Sequence, residues 1–132
     1  MNLVDDSKFL TEGWSYDEGH VHPDATSCRI IHTILKMTRS RNVLEIGFNY
    51  GHSAFTFLNV DKSVKYHSVD IGHHEYTLVN ANKLEEMYPD RFVFSHMSSH
   101  DLEPRTLDLY DMVFVDGDHS IEGMSTVLNL CN

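Results

Sequence analysis

Three of the places where acids and glycines occur together in this sequence have a spacing that limits the chemistry they could do. The first is NVLEIGFNYGHSA, Asn42 to Ala54, where an apolar run ends at Glu45-Ile46-Gly47 and Gly51 follows. Glycine tolerates positive φ and has no Cβ to block an approaching ligand, so such a loop suits close backbone contact. It is not a phosphate-cradling loop, which would end in Gly-Lys-Ser/Thr. Nor is it a dinucleotide fingerprint, since Gly47-x-x-x-Gly51 lacks the G-x-G-x-x-G order. The second place is Asp70-Ile71-Gly72. Asp70 follows the loop by about twenty residues, where an acid can accept both hydroxyls of a ribose. The plainer reading is that Asp70 starts a turn with Gly72. The third is Asp116-Gly117-Asp118-His119.

These residues must be placed by the elements around them. Pro23-Asp24 opens a helical pattern with Cys28, Ile31 and Leu35 on one face and Ile30 and Ile34 beside it. Val43 to Ile46 reads as a short buried strand, and His52 to Asn59 as a helix started at Gly51. A second strand, Val64 to Asp70, again ends in an acid. Glu75 to Tyr88 reads as a helix stopped by Pro89. Phe92 to Ser95 and Asp111 to Asp116 are further strands, and a last helix starts at Ser120. Alternating strands and helices, with strands apolar on both faces, predict an α/β fold: a Rossmann-like, doubly wound parallel sheet. In such sheets ligands bind beyond the carboxyl ends of the strands, where all three acid–glycine places fall. Residues 1–22 read as an irregular arm and 23–132 as one domain.

Composition excludes several classes. The chain has 132 residues, 41% of them hydrophobic, and a formal net charge of −10. That is enough for one core. No basic cluster suggests a nucleic-acid partner; Arg39 and Arg41 read as the cap of a helix end. No apolar run is long enough for a membrane span, and the N-terminus carries acids where a signal peptide would be basic. Cys28 and Cys131 form no CxxC pair and read as reduced thiols, so a cytoplasmic protein is expected. The histidine pairs His20/His22, His73/His74 and His96/His100 lack zinc-site spacing and read mostly as exposed loop residues.

Val43-Leu44-Glu45-Ile46-Gly47-x-x-x-Gly51-x-Ser53-Ala54 resembles motif I of class I S-adenosylmethionine-dependent methyltransferases. It is most similar to the small-molecule O-methyltransferase branch that includes the catechol and caffeoyl-CoA enzymes. Asp111 to Ser120 resembles that branch's fourth-strand motif, with the Asp-Gly-Asp-His spelling of a bacterial subgroup. The resemblance spans roughly Glu12 to Leu130 and implies a cofactor set of Glu45, Gly47, Phe48, Asn49, Gly51, Ser53, Asp70, Ser98 and Ser99. Gly47 and Gly51 would admit the methionine moiety, Ser53 would bond its carboxylate, Asp70 the ribose, and Ser98 and Ser99 the adenine. The first turn after Gly51 fits, because free N–H groups at a helix start suit a carboxylate. Glu45 has two readings, ligand contact or satisfaction of loop N–H groups. Asp116 would ligate a divalent ion, usually Mg2+, and His119 would take the proton of a small hydroxylated acceptor.

The resemblance also implies three further strands and an acidic pair after the fifth, which have no counterpart here. The sheet is therefore expected to look truncated after its fourth strand, with the chain a fragment or a short form. Two other functions stay open. One is a non-catalytic module of the same fold, using the open fourth-strand edge to bind a partner or a second copy. The other is a nicotinamide-dependent oxidoreductase, which the missing central glycine argues against.

Overall fold

The computed structural model describes residues 2–15, 23–117 and 119–132. Its centre is β1 (Asn42–Ile46), whose last four residues are all buried. β2 (Lys65–Asp70), β3 (Phe92–His96) and β4 (Met112–Val115) complete a four-stranded parallel sheet in the order β3-β2-β1-β4. The register sets Val43 beside Tyr66 and Met112, and Glu45 beside Ser68 and Phe114. Side chains alternate along strands, so these share one face while Leu44, Ile46 and Val69 occupy the other. β4 is shorter than the sequence suggests, because Asp111 leaves the strand. Its carboxylate accepts N–H bonds from Arg41 and Asn42, both 2.9 Å, and so fastens β4 to the start of β1.

The first face carries the larger core. It is covered by α2 (Ala25–Thr38), α3 (His52–Val60) and α4 (Glu75–Met87), through Leu35, Phe55, Phe57, Leu58 and Leu84. α3 has nine residues, too few to be stable alone. Burial decides: His52 to Leu58 are all buried, and each large apolar side chain removed from water contributes about 1.5–3 kcal/mol. Asp24 caps α2 by accepting from the Ser27 N–H at 2.7 Å, and Arg39 ends it in a left-handed conformation, φ 56°. Ile31 and Leu35 face the core, whereas Ile30 and Ile34, expected beside them, are 55% and 42% exposed.

One difference from the sequence reading bears on function. Part of the expected irregular arm is helical: α1 (Leu3–Asp6) leads into a 3-10 turn, Lys8–Leu10, whose Leu10 is fully buried. The second face is covered as well, by a smaller set of elements, so the expected doubly wound parallel sheet of four strands is present. Among the described residues the short α5 (Pro104–Leu107), a 3-10 turn at Ser99–Asp101 and α6 (Ile121–Leu130) lie there, around Leu102 and Val127. Val93 and Val115 on that face remain 53% and 42% exposed. Ser120 starts α6 as expected, accepting from the Gly123 N–H at 3.0 Å. Among the described residues no helix is long and apolar enough to cross a membrane.

Candidate functional site

All four strands run the same way, so their carboxyl ends meet along one edge. Main-chain bonds lace these ends together: Gly47 N–H to Val69 O at 2.9 Å, Met97 N–H to Asp70 O at 3.0 Å, and Asp116 N–H to Ile46 O at 2.8 Å. The glycine loop turns sharply above them. Gly47, Asn49 and Gly51 have φ of 98°, 51° and 90°. Asn is among the few non-glycine types that tolerate this region.

Each glycine has a second, steric reason. A Cβ on Gly47 would stand 2.3 Å from the Asp116 carbonyl oxygen, and one on Gly51 would stand 2.5 Å from the Phe48 ring. The close approach that Gly47 permits is therefore made by the end of β4. Phe48 points into the core, edge-on to Phe94 at 5.4 Å.

Asp70 braces the loop. Its Oδ2 accepts N–H bonds from Phe48 (2.7 Å) and Asn49 (3.1 Å), and its Oδ1 accepts from Gly72 (2.8 Å). The turn with Gly72 is thus present. A carboxylate offers about four acceptor positions, so three bonds leave capacity for one more donor.

The loop amides go to Asp70 and not to Glu45. Glu45 lies beneath the loop, 1% exposed, with Oε2 accepting from the Ser68 hydroxyl at 2.5 Å. Burial pushes its pKa up to about 8; the Ser68 bond opposes this, and the Asp116 and Asp70 charges add to it. Its Oε1 and the neighbouring Tyr66 hydroxyl are buried without a well-formed hydrogen bond among the described residues. A carboxyl there is favoured in its neutral form.

Above the strand ends lies a cleft of about 600 Å³. Of the expected site residues, it brings together Gly47, Asn49, Asp70, Ser98, Ser99, Asp116 and His119. Glu45, Phe48, Gly51 and Ser53 do not line it. Ser53 is buried in the first turn of α3, one layer behind. The sequence reading missed Ile71, Thr77 and Met97, as well as His74 and His100, which it set aside as loop histidines; all line the cleft. Their place just after strand-end acids or serines was the available signal. His20, His22 and Asp118 lie outside the described residues.

At the β4 end, Asp116 is half-buried, and burial raises its pKa while His119 opposes the rise. His119 is 83% exposed, its Nε2 3.9 Å from Asp116 Oδ1, within ion-pair range but beyond a hydrogen bond. The expected Mg2+ site does not follow from these atoms. Magnesium takes a near-octahedral set of oxygens, and among the described residues no group of three His, Cys, Asp or Glu side chains could hold a metal ion.

Comparison with known proteins follows the same lines. Similar solved structures include an O-methyltransferase of Bacillus cereus in complex with SAH (TM-score 0.70, 15% identity). Others are the O-methyltransferase TomG of Streptomyces achromogenes, in complex with SAM (0.69, 19%), and the SAH-bound Podospora anserina methyltransferase PaMTH1 (0.69, 16%). Each match covers 98% of this chain but only 61%, 60% and 56% of the respective structure. The chain thus spans about three fifths of their length. These likenesses show a shared fold. Among curated proteins, no sequence matches the chain. A family profile described as a methyltransferase domain matches residues 44–132, more than half of the sequence. The chain belongs to the methyltransferase domain family.

Proposed function

We propose that this chain forms the cofactor-binding part of an S-adenosylmethionine-dependent methyltransferase acting on a hydroxyl of a small acceptor. The observation that carries the reading is the Asp70-braced glycine loop opening on the same cleft as Asp116 and His119. About 600 Å³ falls within the range of small-molecule sites. Apolar Ile71 and Met97 beside Ser98 and Ser99 suit a flat purine with polar edges. The free acceptor position on Asp70 suits a ribose hydroxyl, and the Asn49 amide lies beside it. Ser53 would reach the cofactor carboxylate only through the first turn of α3. The solved neighbours that hold SAM or SAH support this choice of ligand.

Bound there, S-adenosylmethionine would supply a sulfonium-borne methyl group, transferred to oxygen as the sulfur–carbon bond breaks and the carbon–oxygen bond forms. His119 would take the acceptor's proton on its imidazole, and Asp116 would stabilise the resulting imidazolium. No step is assigned to magnesium, for which Asp116 would be one isolated carboxylate ligand among the described residues. The Asp-Gly-Asp-His spelling supports the bacterial branch as a finer placement. Cys28 and Cys131, both free thiols, fit our placement in the cytoplasm.

Turnover with labelled S-adenosylmethionine and a panel of hydroxylated acceptors tests the reading. Loss of His119 should lower the rate by about 10²–10⁴-fold. A His119 variant with the wild-type rate would overturn its role as the proton acceptor.

The exposed edge of β4 and the half-exposed Val115 favour a second reading. In it the chain binds the cofactor without turnover and pairs through this edge with another chain, such as a second copy. Cofactor binding with no methylation of any acceptor would favour it.

A further inference from the structure

The N-terminal segment touches the glycine loop through one face of α4. Asn80 is fully buried there, and its amide nitrogen has two hydrogens. One is donated to the Leu10 carbonyl at 2.7 Å and the other to the Tyr50 carbonyl at 3.0 Å. One side chain thus joins the end of the Lys8–Leu10 turn to the middle of the glycine loop. Tyr76 stands one turn earlier on the same face. Its hydroxyl donates to Asn49 Oδ1 at 2.9 Å, and its ring stacks on Tyr50 at 4.0 Å and 8°. The edge of Trp14 meets the Tyr76 ring at 5.7 Å. Asn49 lines the cleft and gives its N–H to Asp70. From Trp14 to the cleft wall, every step is a direct contact.

We infer that the segment from Leu3 to Trp14 is a brace that holds the glycine loop in its ligand-binding shape, with Asn80 as the positioning residue. The inference rests on the cofactor reading above for its ligand. Asn49 holds a left-handed conformation, φ 51°, which a non-glycine residue keeps only where its surroundings over-determine it. Asp70 fixes the loop's first half from the sheet side, and Asn80 with Tyr76 fixes its second half from α4. Asn80 Oδ1 is buried without a hydrogen-bond partner among the described residues, so the two bonds of its amide nitrogen are what offset its burial, and they favour the one arrangement in which segment and loop both meet it. Binding in the cleft and the environment of Trp14 are then linked, and linkage acts in both directions.

Trp14 is the only tryptophan in the chain, which makes the link measurable. The full chain is titrated with S-adenosylhomocysteine, followed by calorimetry and by tryptophan emission. In the wild type the emission should change in step with binding. Asn80→Asp keeps the shape but turns an oxygen toward two carbonyls; binding should weaken about tenfold, the worth of one hydrogen bond, and the emission change should be lost. Tyr76→Phe keeps the ring stack and should weaken binding by a smaller factor, without lowering the melting temperature. Hydrogen exchange gives a readout that needs no ligand: Asn80→Asp should speed exchange of the Phe48 to Gly51 amides relative to those of β1. If the wild type binds no S-adenosylhomocysteine, the cofactor reading fails, and loop exchange alone decides the brace. If Asn80→Asp does not fold, Tyr76→Phe decides it by the same measurements. Wild-type affinity, emission response and loop exchange in the folded Asn80 variant, or in Tyr76→Phe when it must stand in, would overturn the inference.

Discussion

Asp70 and His119 line the same cleft, one at the end of β2 and the other beyond β4, and are held in opposite ways. Around Asp70 the polar groups are bound to one another: two loop amides and the Gly72 amide converge on one carboxylate, and Asn49 is held by Tyr76. His119 is mostly exposed, and its ring stops short of a hydrogen bond to Asp116. The packing beneath repeats the contrast. β1 and β2 lie inside the sheet, whereas β4 stands at its edge among the described residues, with Met112 and Phe114 against the large core and Val113 against the small one. The glycine loop is therefore fixed by bonds within this chain, while His119, proposed for proton transfer, is placed but not confined. Preorganised polar groups need little rearrangement when a ligand arrives, so the two ends should respond differently to substitution.

Gly47 joins the two ends, and changing it should have the largest effect. Gly47→Ala places a Cβ against the Asp116 carbonyl at a φ of 98°. Backbone strain and overpacking together should destabilise the fold by about 2–6 kcal/mol. Urea unfolding measures this, and a shift below ~1 kcal/mol would mean that the ends are less tightly joined than described.

Glu45 tests the held end through pH. Its pKa is about 8 in the folded chain against 4.5 as its ordinary value. Below the ordinary value the carboxyl is protonated in both states and carries no penalty. Between the two values the folded chain keeps a proton that the unfolded chain has released, so rising pH favours unfolding. At pH 7 the penalty is about 3 kcal/mol, from about 1.4 kcal/mol per pH unit. Relative to the wild type, Glu45→Gln should gain stability steadily from pH 4.5 to 8. Parallel pH–stability curves would show that Glu45 is ionised where it lies.

Much of this was legible in the sequence, and the misses have physical causes. Strand ends were readable because short runs such as Val43-Leu44 and Met112-Val113-Phe114-Val115 stop at an acid and a glycine, as the strand ending at Asp70 also does. The Lys8–Leu10 turn was not, because Leu10 is held by Asn80, seventy positions away, and not by any local pattern. Glycine spelling marked the loop but not which contact required each glycine; for Gly47 it is β4. The cleft histidines were missed because their role comes from the alignment of strand ends and not from ligand-like spacing.

Asp70→Ala should reach both binding and local order. It leaves three N–H groups without their acceptor and should cost about 1.5–3 kcal/mol of cofactor affinity, with the sheet intact by circular dichroism. His119→Ala should have the smallest effect on binding, within about 0.5 kcal/mol, because nothing in the braced loop depends on it. A His119 variant that loses affinity as Asp70→Ala does would erase the contrast between the two ends.

The central claim is that the cleft at the Asp70 end is built for S-adenosylmethionine. Isothermal calorimetry of the wild-type chain with S-adenosylhomocysteine, set against NAD under the same conditions, tests it most directly. The account predicts saturable one-site binding of S-adenosylhomocysteine and much weaker binding of NAD. Tighter binding of NAD, or no heat from S-adenosylhomocysteine with a folded protein, would contradict it.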